Sequence, residues 1–153
     1  MKIRNFKPTD TIPVAFLISN THKTFNYKEG TKDAVKKYAE LYNPKKNLKK
    51  IKEKFSKSSI FLVAENNGTI VGVARGNEIK LVNLFVKGEL HGKGIGKKLM
   101  EAYEKKAASI GSKKNKLNGS MYAVPFYQKI GYKKTTGIRN LHGLKVQPMK
   151  KVL

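Results

Sequence analysis

Between Ser59 and Val86 the chain carries strand-length runs that are apolar on both sides. Ser59 to Glu65 and Thr69 to Arg75 are joined by Asn66-Asn67-Gly68. Asn-Gly is the pair that tolerates positive φ in a tight hairpin turn. Alternate residues of a strand point to opposite faces. Ile60, Leu62 and Ala64 therefore share one face, and Phe61 and Val63 share the other. A sheet without a polar face must be covered on both sides. Glu78 to Val86 predicts a third strand of the same kind, so the segment confines the chain to a layered fold with helices on both faces.

The flanking sequence supplies the other layers. Lys2 to Phe6 predicts a first strand. Thr9 or Asp10 caps a helix with Pro13 in its first turn, running through Ala15, Phe16, Leu17 and Ile18. Asn20 to Gly30 is polar and predicts a loop. Thr31 starts a second helix through Val35, Tyr38, Ala39 and Leu41, and Asn43-Pro44 restarts it through Leu48, Ile51 and Phe55. Ile95, Leu99, Ala102, Tyr103, Ala107 and Ile110 keep an apolar stripe at helical spacing, ended by Gly111. Lys114 to Asn118 predicts a short strand and Ala123 to Ile130 a short helix stopped by Gly131. Tyr132 to Thr135 and Leu144 to Met149 predict a closing antiparallel pair. The expected fold class is α/β (α+β), in the order β-α-α-β-β-β-α-β-α-β-β, with a central mixed sheet. The 153 residues fit a single domain, 1–153.

Charge and composition narrow the function. The chain has 33 Lys and Arg against 10 Asp and Glu, a formal charge of +23. Such a surface attracts polyanions, whether a phosphate-bearing cofactor or nucleic acid bound without sequence preference. Arg, the better fork for reading bases, occurs only at Arg4, Arg75 and Arg139. Lysines on solvated faces of an ordinary domain would give the same balance. With no cysteine, a disulfide, a thiolate zinc site and a cysteine nucleophile are excluded. A cytoplasmic setting is expected, with no signal peptide, no membrane segment and no metal site of convincing ligand spacing.

The string His91-Gly92-Lys93-Gly94-Ile95-Gly96 stands between a strand and a helix. Glycines allow a sharp turn and close approach to the amides. A helix start leaves unpaired N–H groups and the positive end of a dipole. Together they make a seat for pyrophosphate, with Lys93, Lys97 and Lys98 around it. The register is not that of a Walker A loop, and the position is too late in the chain for a dinucleotide fold. Taken alone, the string is also compatible with a plain strand-to-helix turn.

Leu84-Phe85-Val86, a short loop and then His91 to Leu99 resemble motif A of the GNAT acetyltransferases, with His91 at the family's Gln or Arg position. Ala123-Val124-Pro125-Phe126-Tyr127-Gln128-Lys129-Ile130-Gly131-Tyr132 is similar to motif B, and Ser120 stands where many members have Asn. The resemblance implies acetyl-CoA as cosubstrate, an amine acceptor, and direct transfer in a ternary complex with no metal. It assigns the pantetheine arm to Leu84, Phe85 and Val86, and the pyrophosphate to His91, Gly92, Lys93, Gly94, Ile95, Gly96 and Lys97. Ser120 and Phe126 complete the coenzyme site, and Tyr127 matches the general acid. The acceptor site falls on Thr21, His22, Phe25 and Asn26. The general base stays open between Glu78, expected on the third hairpin strand, His22 and a water chain. A nucleic-acid-binding module and a non-catalytic acyl-CoA-binding protein remain alternatives, as do monomer and homodimer.

Overall fold

The Asn66-Asn67-Gly68 turn closes its hairpin with φ of 50° at Asn67 and 79° at Gly68. A computed structural model describes residues 1–153. It contains β1 (Lys2–Asn5), α1 (Thr11–Phe25), α2 (Lys32–Leu41), α3 (Pro44–Ser56), β2 (Ile60–Asn66), β3 (Thr69–Gly76) and β4 (Leu81–Val86). These are followed by α4 (Ile95–Ser109), β5 (Lys114–Gly119), α5 (Val124–Lys129), β6 (Lys133–Lys134), β7 (Arg139–Leu141) and β8 (Leu144–Val152). No helix is long and apolar enough to cross a membrane.

Both faces of β2 are buried as its alternation requires. Ile60, Leu62 and Ala64 pack with Leu99, Met100 and Tyr103 of α4. Phe61 and Val63 pack with Val14, Ala15 and Ile18 of α1 and with Ile51 and Phe55 of α3. The two apolar layers lie on opposite sides of the sheet β1-β2-β3-β4, which is antiparallel throughout. A second antiparallel sheet has the order β5-β8-β6, with β7 on β8. The sheets meet at one parallel bridge, Lys80 with Lys116, where the Lys116 N–H donates to the Ile79 carbonyl at 2.9 Å. The mixed sheet is thus two antiparallel halves whose inner strands, β4 and β5, touch at one end.

Local chemistry explains where elements depart from expectation. Asp10 precedes α1 but does not cap it. Its carboxylate instead accepts from Arg4 at 2.8 and 3.0 Å and from the Lys7 N–H at 2.8 Å. The Arg4 bonds hold it below the usual carboxylate range. Helix α1 runs on to Phe25, through residues whose polarity predicts a loop. Thr24 folds its hydroxyl back onto the Asn20 carbonyl at 3.0 Å, and Thr21 and His22 are buried, so packing overrides weak propensity. Thr31 and Asn43 do cap, accepting from Ala34 at 3.1 Å and Lys45 at 3.0 Å.

Strand β4 begins at Leu81, not Glu78. The Asn77 side chain accepts from the N–H groups of Ile79 at 2.9 Å and Lys80 at 2.8 Å, an Asx-type turn. Strand β7 was not foreseen. It turns into β8 through His142-Gly143, at φ of 53° and 89°, a pair standing in for Asn-Gly.

Arg75 ties β3 and β4 to the helices. Its buried guanidinium donates to Asn83 Oδ1 at 2.7 Å, Tyr42 Oη at 3.1 Å and Ser58 Oγ at 3.2 Å, and lies 5.1 Å from the Phe55 ring centre. No carboxylate pairs with it, so neutral acceptors and a ring face carry the charge. Arg75→Ala leaves a cavity and orphaned acceptors. It is expected to cost about 3 kcal/mol, read as a lower midpoint in urea unfolding.

Candidate functional site

The divergence of β4 and β5 opens a cleft of about 1570 Å³. Its walls come from the C-terminal end of α1, from α2, β4 and α5, and from the turn before α4. The Lys87 N–H donates to the Val71 carbonyl at 2.8 Å. Antiparallel hydrogen bonding alternates along a strand, so the N–H groups of Leu84 and Val86 face away from β3, toward the gap. Leu84, Phe85 and Val86 are all half-buried and all line the cleft.

The glycine turn lies at the mouth. Gly92 and Gly94 have φ of 78° and 83°, the left-handed region that an L side chain enters only at a cost. The first backbone bond of α4 runs from the Lys98 N–H to the Gly94 carbonyl at 3.1 Å. The helix has no side-chain cap, and the six N–H groups from Gly92 to Lys97 have no partner in the protein. A Cβ at Gly96 would stand 3.3 Å from the Phe126 ring and 3.8 Å from Val86, so glycine there lets α4 close on α5. His91, Gly92, Gly94, Ile95, Gly96 and Lys97 line the cleft; Lys93 does not.

His91 does not reach outward as an anion ligand. Its Nε2 lies 2.6 Å from the Val86 carbonyl and its Nδ1 lies 3.2 Å from the Tyr122 hydroxyl. A carbonyl only accepts, so Nε2 carries a hydrogen, and in the neutral ring Nδ1 is left to accept from Tyr122. The ring also packs on Phe25, centres 4.5 Å apart. Ser120 accepts from the Ala123 N–H at 3.2 Å and shapes the entry to α5. Ser120, Phe126 and Tyr127 all line the cleft. Tyr127 is buried among Phe126 and Tyr132, and its desolvated phenol is pushed above the usual tyrosine range. No protein group bonds its hydroxyl, yet that oxygen is not sealed from solvent.

Thr21, His22, Phe25 and Asn26 all line the cleft, but as the last turns of α1 and its C-cap, not as a loop. His22 is 5% exposed, and its Nε2 is buried without a partner. The ring lies 4.1 Å from that of Tyr38, and burial lowers its pKa to about 4. Glu78 is not part of the site. The Asx turn carries it outside the sheet, exposed, where it accepts from Ser59 Oγ at 3.1 Å. Sequence reasoning missed Tyr38, Tyr42 and Glu29. The two tyrosines fit the apolar stripe of a helix equally well, and a lone carboxylate in a polar stretch has no pattern. The Glu29 oxygens accept from Asn26 Nδ2 and from the Tyr122 N–H, both at 2.6 Å.

A family model described as an acetyltransferase (GNAT) domain matches residues 26–153. The fold is similar to a GCN5-related N-acetyltransferase from Rhodopseudomonas palustris, with a TM-score of 0.85 at 21% identity over 99% of this chain and 95% of that one. It is also similar to PaiA N-acetyltransferase from Thermoplasma acidophilum, solved with coenzyme A, with a TM-score of 0.76 at 22% identity over 99% and 98%. A third similar structure is ribosomal-protein-alanine N-acetyltransferase from Brucella melitensis, with a TM-score of 0.72 at 17% identity over 100% of both chains.

The environment of His22 sets a pH dependence of stability. Its folded pKa of about 4 lies below the ordinary 6.5. The unfolded chain therefore binds the proton first as pH falls. The stability contributed is complete above 6.5 and is lost as pH drops toward 4. The loss amounts to about 3 kcal/mol at most. Melting temperature should fall between neutral pH and pH about 5 in the native chain and much less in His22→Leu, as differential scanning fluorimetry would read.

Proposed function

Because this chain belongs to the GNAT acetyltransferase family, we propose that it moves the acetyl group of acetyl-CoA to a primary amine, directly and within a ternary complex. The observation that carries the proposal is the run of unpartnered amides from Gly92 to Lys97 at the mouth of a cleft whose wall is the free edge of β4. A pyrophosphate answers such a run, because the N–H groups converge and the helix dipole favours negative charge. The pantetheine arm, an extended amide chain, fits the gap between β4 and β5, where Leu84 and Val86 offer backbone groups. The cosubstrate brings a thioester whose acetyl carbon accepts the amine.

The chain's own residues then have limited tasks. A β4 N–H near Val86 donates to the thioester carbonyl and bonds more strongly as negative charge gathers on that oxygen. Tyr127 is protonated at neutral pH, and its hydroxyl can donate to the departing sulfur, although the burial that raises its pKa also makes it a weaker acid. A thiolate of pKa about 8.5 is an easy leaving group, so this help is useful rather than decisive. The acceptor enters beside α1 and α2 and must arrive with an unprotonated nitrogen. No carboxylate on β4 stands ready to take its proton, so His22 and solvent in the cleft are the routes out.

Incubating the protein with acetyl-CoA and a panel of primary amines, with detection of free thiol, tests the proposal. Release that depends on the amine supports it. Coenzyme binding without turnover would point instead to an acyl-CoA-binding protein. In Gly94→Glu, bulk and a like charge meet the pyrophosphate at a position with open space around it. The thermal shift given by coenzyme A should disappear there while the fold persists. Tyr127→Phe should lower kcat roughly 100-fold, with the affinity for coenzyme A unchanged.

A further inference from the structure

Six of the ten carboxylates, Asp10, Asp33, Glu40, Glu65, Glu89 and Glu104, sit in ion pairs. Three of the remaining four, Glu53, Glu78 and Glu101, are exposed and solvated. Glu29 is different. It is 7% exposed, it lines the cleft, and none of the chain's 33 lysines and arginines pairs with it. A buried carboxylate is costly unless its charge is answered. Here the only answers are the neutral donors of Asn26 and Tyr122. Each carboxylate oxygen accepts from one of them and has a lone pair to spare.

Two neighbouring groups favour or tolerate positive charge. The C-terminal end of α1 lines this part of the cleft with Phe25 and the C-cap Asn26 and is the negative end of a fifteen-residue helix. His22, also buried there, has an unpartnered Nε2 that no protein atom answers, and it is neutral near pH 7, so it does not repel a cation. In this turn-and-helix segment His22 Nε2 thus lacks a hydrogen-bond partner, and the Glu29 carboxylate, though hydrogen-bonded at both oxygens, lacks an opposite charge.

Building on the proposed amine acetylation, we infer that Glu29 holds a positive charge of the acceptor at a site other than the reacting nitrogen. The acceptor class is then a small amine with a second cationic group. The distinction follows from protonation. The attacking nitrogen must be neutral, whereas an ammonium beside a buried carboxylate holds its proton more tightly. Asn26 and the Tyr122 amide are positioning groups, since they aim the carboxylate and do not meet the acceptor through it.

Diaminobutane, butylamine and aminobutanol separate the possibilities, because they share a four-carbon chain and differ in the second charge. With the native chain and acetyl-CoA, diaminobutane should show a kcat/KM about tenfold or more above the other two. Glu29→Gln should remove most of that preference through KM, leaving kcat and the thermal shift given by coenzyme A in place. Equal use of the three amines by the native chain overturns the inference without any variant, as does a preference that survives in Glu29→Gln. If coenzyme A binds but no amine is acetylated, the proposed reaction fails. Calorimetric titration of diaminobutane into the coenzyme-loaded native chain and Glu29→Gln then decides separately. Binding that needs Glu29 supports the cation site; absent or unaltered binding overturns it.

Discussion

The structure turns on one incomplete pairing. Strands β4 and β5 are neighbours in a mixed arrangement, yet they bond only at Lys80 and Lys116. Had the parallel ladder continued, the backbone groups of Leu84 and Val86 would be spent on β5 and the cleft would not exist. Unpaired main-chain groups inside a protein are costly, so a gap of this kind persists where water or a ligand can satisfy it. The free edge is extended, two-sided and apolar at its flanks, which suits an amide-bearing chain laid along it. The Val86 carbonyl already shows the demand, since His91 folds back to meet it at 2.6 Å.

What keeps the edge open is the covering of the sheet on its two faces. Helix α4 packs on one side through Leu99, Met100 and Tyr103, while α1 and α3 pack on the other. Because α4 is anchored to the sheet of β1 to β4, its N-terminus is held at the end of β4 whatever β5 does. Gly96 brings that N-terminus against Phe126 and Val86, so the amide run and the strand edge share one cleft. Tyr103 extends the same anchoring to the far end of β4, where its hydroxyl meets the Asn77 and Lys80 carbonyls at 2.6 and 3.0 Å. Core packing and ligand geometry are therefore one arrangement, fixed by α4.

Much of this was legible in the sequence, for a physical reason. Alternation in β2, the Asn-Gly turn and the helical stripe of α4 are local patterns whose geometry follows from a single period. The glycines at 92, 94 and 96 announce backbone that must turn and stay exposed. The acceptor end was not legible. Helix α1 continues past Asn20 because Thr21 and His22 are buried, a tertiary effect that propensity does not carry. Glu78 looked like a strand residue until the Asn77 side chain diverted the backbone. Glu29 draws its meaning from Tyr122, ninety-three residues away, a relation with no trace in local spacing.

Charge then divides between two length scales. At +23 the chain as a whole should repel a cationic acceptor, and composition alone argues for a small amine, an amino acid or an acidic peptide. That repulsion comes from lysines spread over a solvated surface, and at physiological ionic strength it fades beyond about 8 Å. A carboxylate buried in the wall of the cleft is screened far less, so inside the cleft its field can outweigh the surface charge. The same surface lysines favour arrival of a polyanionic coenzyme at the glycine turn, with Lys97 in the wall beside it. One protein can thus draw a phosphate-bearing cosubstrate from solution and still seat a cation in the wall of its cleft. The first attraction acts at a distance and the second only after entry.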